Sequence, residues 1–152
     1  MKKFFIITML LVVMTGSVFA LGHIGISNKG ISSLTITWKD GIADGVNIDA
    51  GFSPDGIYVG GQYHFIDQPL ADLKWFDWYA GAGASGVIGT SGGYFGVYGD
   101  VVVGLEWYPG ILSDINLPLE IFTEYGIWIG LTNSGFATEF MNYGAGVRWM
   151  FD

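Results

Sequence analysis

From residue 21 onward the chain alternates, and the alternation limits what it can fold into more than any other feature. Between 93 and 108 the odd positions read Phe95, Val97, Gly99, Val101, Val103, Leu105 and Trp107. The even positions read Tyr94, Gly96, Tyr98, Asp100, Val102, Gly104, Glu106 and Tyr108. A period of two is that of a β-strand with two unlike faces, and it cannot place one apolar stripe on a helix. The pattern recurs along the chain. Leu117, Leu119, Ile121, Thr123, Tyr125, Ile127 and Ile129 oppose Glu120, Phe122, Glu124, Gly126 and Trp128, and Tyr143, Ala145, Val147, Trp149 and Phe151 oppose Gly144, Gly146, Arg148 and Met150. Leu34, Ile36 and Trp38 oppose Thr35, Thr37 and Lys39. Strands are expected at 21–27, 31–39, 45–52, 56–66, 75–88, 93–108, 117–129 and 140–151, with turn-forming Gly, Pro, Asn and Asp between them.

Over most of the chain one face is apolar and carries no charge, while the other mixes glycine, acid, amide and tyrosine. A water-soluble barrel buries its apolar face and covers the outside with charge, commonly about a quarter or more of surface residues. Here 13% of residues are charged against 51% hydrophobic, and the charges share a face with glycine. Small side chains suit a crowded interior, so the mixed face is expected inside and the apolar face against lipid. In lipid every backbone group must be paired, which requires closure. The expected fold is all-β, an eight-stranded antiparallel up-and-down transmembrane β-barrel of one domain, residues 21–152.

The first twenty residues read as an export address. Lys2 and Lys3 precede the apolar run Phe4 to Val13, and Val18-Phe19-Ala20 offers small or tolerated residues at the positions a signal peptidase reads, with cleavage expected after Ala20. This is the pattern of a secretory signal peptide, residues 1–20. Removal of Lys2 and Lys3 leaves 4 basic and 14 acidic residues, a net charge of -10. That acidity argues against a nucleic-acid partner. The absence of cysteine excludes a disulfide scaffold, a thiolate metal site and a lipoprotein anchor.

Aromatic placement gives a second argument. With strand direction alternating from a periplasmic start, Trp38, Trp75, Trp78, Trp107 and Trp149 fall at the periplasmic end and Trp128 at the other. Phe52, Tyr94, Phe95 and Phe140 approach the outer rim. Such girdles mark headgroup layers.

The segment Gly146-Val147-Arg148-Trp149-Met150-Phe151 resembles the outer-membrane assembly signal, through Gly146, Trp149 and the near-terminal Phe151, with Asp152 one residue beyond the usual end. Together with Gly104-Leu105-Glu106-Trp107 and the 117–124 strand, it makes the mature chain similar to small eight-stranded outer-membrane barrels, resembling an uncharacterised β-barrel family of diderm bacteria including spirochaetes. The resemblance implies the cell outer membrane as location, a porin-like architecture, and the barrel assembly machinery and outer-membrane lipids as partners. It implies no catalytic residues.

The inward set includes His23, Lys39, Asp49, His64, Asp77, Asp100, Glu106, Glu120, Glu124 and Arg148. Arg148 is the only arginine, and Glu106, Glu120 and Glu124 are its expected partners in a structural lumen network. Eight strands leave an interior that side chains fill, so the expected role is structural or surface-interacting, as a monomer without an open pore, enzyme activity, metal or cofactor. Two alternatives stand beside it. A lipid-modifying hydrolase or acyltransferase needs a converging Ser, His and acid, for which Ser85, His23 and His64 are the candidates. A narrow cation-selective channel would use the acidic surplus. The outer loops, near 28–33, 53–56, 89–93 and 130–139, are short for an adhesin, and Phe136 is their one candidate contact.

Overall fold

The computed structural model describes residues 22–28, 32–38, 45–53, 56–90, 93–109, 115 and 117–151. The expected signal peptide, Lys39 and Asp152 lie outside them. The described residues form eight strands and no helix: β1 (Gly22–Asn28), β2 (Ser32–Trp38), β3 (Val46–Ser53), β4 (Gly56–Pro69), β5 (Phe76–Gly89), β6 (Phe95–Trp107), β7 (Leu119–Thr132) and β8 (Gly135–Met150). Each strand pairs antiparallel with the next, and β1 pairs with β8, which closes the barrel.

The faces invert the arrangement of a water-soluble protein. Arg148, Glu106, Glu120, Asn47, Asp49, Thr35 and Thr37 are among the most deeply buried side chains. Val59, Val101, Val103, Ile129 and Leu131 are exposed on the outside. Among the described residues, no charged side chain lies on the outward face of any strand.

The glycines follow a packing rule. Each of six bulky inward side chains stands directly opposite a glycine on the adjacent strand: Tyr79 opposite Gly104, Tyr98 opposite Gly130, Phe122 opposite Gly146, His64 opposite Gly81, Gln62 opposite Gly83 and Arg148 opposite Gly25. At each of these glycines a Cβ would collide with that partner's atoms. A lumen only as wide as eight strands allow holds such side chains because the facing position has none.

Two bulges reset the alternation. One, between His64 and Ile66, carries β4 on to Pro69 against β5, beyond the expected end at 66. The other lies where Gly126 pairs with Asn142 but Trp128 pairs with Glu139, which gives β8 one extra residue. As a result Phe136, Thr138 and Phe140 share the outward face with Tyr143, Ala145 and Val147, although their numbers change parity. The expected outer loop 130–139 is therefore corrected. β7 runs to Thr132 and β8 starts at Gly135, joined through the two-residue turn Asn133–Ser134, with Gly135 at φ 119°. A phase shift of one residue hides a strand from an alternation read without the bulge.

Candidate functional site: the polar lumen

The barrel end holding Gly22, Trp107 and Met150 is termed the base, and the end holding Asn28, Gly89 and Thr132 the rim. Near the base three adjacent strands bring Glu106, Glu120 and Arg148 together. Arg148 Nη1 donates to Glu106 Oε1 at 2.8 Å and to Glu120 Oε1 at 2.6 Å, and all three side chains are fully buried. The guanidinium lies 3.7 Å from the centroid of the Phe122 ring, a cation–π contact between two buried side chains. His23 Nδ1 donates to the second oxygen of Glu120 at 2.6 Å, so β1 is tied to β7 across β8. The second oxygen of Glu106 accepts from the Tyr108 hydroxyl at 3.0 Å. Burial, and after it the charge of Glu106, pushes the Tyr108 phenol well above its ordinary range.

The fourth member of the expected network, Glu124, sits one layer higher and accepts from the Tyr79 hydroxyl at 2.9 Å. The Tyr79 ring stacks on His64, with centroids 4.2 Å apart and planes 16° from parallel. Higher still, Gln62 Nε2 donates to Asp100 Oδ2 at 2.8 Å, and Thr35 Oγ1 donates to Asn47 Oδ1 at 3.0 Å. Toward the rim the lumen becomes aromatic. Trp128 stacks on Tyr58 at 5.8 Å and 8°, and packs against Tyr98 at 5.8 Å and 44°; the Tyr98 hydroxyl is hydrogen-bonded to that of Tyr94. Trp128 therefore plugs the interior, on the inward face that the alternation gives it, and does not belong to a girdle at the outer headgroup layer.

The residues weighed for lipid chemistry are not brought together. His23 is held by Glu120 at the base, and His64 by Tyr79. Ser85 lies opposite Gly60 and Tyr98, four residues along β5 from the partner of His64, Gly81. The expected assembly-signal positions lie at or just beyond the end of β8. Gly146 leaves room for Phe122, Trp149 pairs with Leu119 and Ile24, and Phe151 is half-exposed just beyond β8.

One group was missed from the sequence. Carboxylate oxygens of Asp67, Asp77 and Glu106 lie within 4.8 Å of one another at the base. Asp77 pairs with Glu106 directly, but the bulge after His64 is needed to bring Asp67 alongside. A cation placed there would compete with Arg148 and Tyr108 for Glu106.

No family model, no curated protein and no solved structure matches this chain.

Proposed function

We propose that this chain is an integral outer-membrane β-barrel with a filled lumen and a structural or surface-interaction role. The observation that carries the reading is the inversion of its two faces. Among the described residues the outward face is uncharged and exposes apolar side chains on every side of the barrel, while the charged groups of the strands point inward. Soluble monomers rarely expose a contiguous apolar patch of more than a few hundred Å². A closed ladder is also the only strand arrangement that satisfies its backbone in hydrocarbon. Trp107, Trp149 and Phe151 at the base are about half-exposed, and Phe76 stacks on Trp107 there at 6.0 Å, as expected of rings at a headgroup layer. The successive polar layers and the Trp128 plug support a role without an open pore.

Fractionation of a diderm host producing the full chain tests the reading. The chain is expected in the outer-membrane fraction, resistant to carbonate extraction and released by detergent. Recovery in the soluble periplasmic fraction without detergent overturns it.

A further inference from the structure

The barrel wall is not of even height. Following paired residues once round from His23, through Thr37, Asn47, Gln62, Gly83, Asp100 and Trp128, leads to Glu139 on β8. The direct β8 partner of His23 is Met150, eleven positions further on, one of which is the bulge. This stagger tilts the strands. It also leaves β1 and β2 short: Asn28, the last residue of β1, pairs with Ala145, while β8 extends ten residues further toward the rim, to Gly135. Over that stretch β8 pairs with β7 on one side and, among the described residues, with no strand on the other. Glu139 on the inner face is exposed, as are Phe136 and Phe140 on the outer, whereas nearer the base Asn142, Gly144 and Arg148 are buried. Among the described residues, the wall has a notch where β8 stands above Asn28 and Ser32.

A groove of about 440 Å³ lies at this notch. Ile26, Leu34, Ala145 and Val147 form its apolar side and belong to the outward face; Ser27 and Ser33, hydrogen-bonded to each other at 2.7 Å, form its lumenal side. The depth of the groove follows from the taller strands β5 to β8. Their outward residues remain apolar up to the rim, at Ile88, Phe95, Leu131 and Phe136, all more than half-exposed. If those residues face lipid, the top of β1 lies below the upper limit of the hydrocarbon, and the groove opens sideways into it.

We infer that this notch is a lateral binding groove for an acyl chain of a membrane amphiphile. The inference rests on the membrane reading above. The chain lies along Ile26, Leu34 and Val147, continuous with the outward apolar face. Ester, amide or hydroxyl groups near its polar end reach Ser27, Ser33 and the backbone edge of β8, whose N–H and C=O groups need partners in hydrocarbon. A second copy fits less well. Two barrels upright in one membrane present their β8 edges in the same sense and crossed by twice the strand tilt, so the edges cannot extend an antiparallel ladder.

The test uses the full chain reconstituted in phosphatidylcholine vesicles doped with phosphatidylcholine bearing a photoactivatable diazirine in one acyl chain, with labelled residues mapped by mass spectrometry. Labelling is expected at the outward Val101 and Ile127 and also at Ser27 and Ser33. Ala145→Trp, and separately Leu34→Trp, should lower labelling of the two serines about tenfold and leave Val101 and Ile127 unchanged. Labelling of Val101 and Ile127 without the serines, or serine labelling that both tryptophan variants leave intact, overturns the groove while the membrane reading stands. Absence of labelling at all four positions overturns both.

Discussion

Tyr79 and Gly104 face each other across β5 and β6, and the Tyr79 ring occupies the space that a Cβ at position 104 would take. The ring is fully buried, stacks on His64 and donates to Glu124 through its hydroxyl. A side chain at 104 would displace it from all of these contacts. Gly104→Ala is expected to destabilise the barrel by about 1–3 kcal/mol through overpacking. Urea unfolding in detergent reads this. Gly61→Ala, where a Cβ would meet nothing closer than 3.8 Å, should stay within about 0.5 kcal/mol of the parent. In the Tyr79→Ala background the cost of Gly104→Ala should largely vanish, a non-additivity that independent sites would not show.

Arg148 carries the positive charge of the base layer, shared between Glu106 and Glu120. Arg148→Met leaves two buried carboxylates without it and should cost about 3–5 kcal/mol. Adding Glu106→Gln and Glu120→Gln to that variant should recover part of the loss, since the cost lies in uncompensated charge and not in packing alone. Glu139→Gln, at an exposed position, is the control and should stay within about 0.5 kcal/mol. Equal losses in the single and the triple variant would contradict the network.

The Tyr108 phenol, just beyond β6, is held protonated by burial and by Glu106. Its folded pKa is raised, so its contribution is complete below the unfolded value near 10 and falls as pH rises beyond it, where only the unfolded chain ionises freely. At pH 7, Tyr108→Phe should lose about 1.5–3 kcal/mol with the bond to Glu106. Above pH 10 the gap between parent and variant should narrow. Unfolding midpoints measured from pH 7 to 11 check this, and a gap independent of pH would contradict it.

The filled lumen is tested electrically. In planar bilayers the full chain is expected to give no stable unit conductance, because the Arg148 layer and the Trp128–Tyr58 stack cross the lumen at two levels. Reproducible cation-selective steps would reverse the reading and make the acidic surplus a conduction path.

Much of this molecule was legible in its sequence because a strand's two faces are a local property. The alternation of Val97, Val101 and Val103 with Asp100, Gly104 and Glu106 assigned each residue to a side and predicted the number of strands. It also predicted the inward sets from which Arg148, Glu106 and Glu120 came together, since their strands are adjacent. What alternation cannot carry is register. The bulge near Trp128 shifted the phase of β8 and turned an expected loop at 130–139 into paired strand. The bulge after His64 brought Asp67 beside Asp77 and Glu106.

The sequence by itself therefore determined two faces, eight strands and an interior rich in acid and glycine. Only the tertiary structure decided which glycine meets which ring, that Glu124 serves Tyr79, that Trp128 plugs the lumen, and that the wall drops above β1 and β2. The physical reason is that side-chain direction depends on the next residue along the chain, whereas stagger is set by closing the sheet on itself and is distributed around all eight strands.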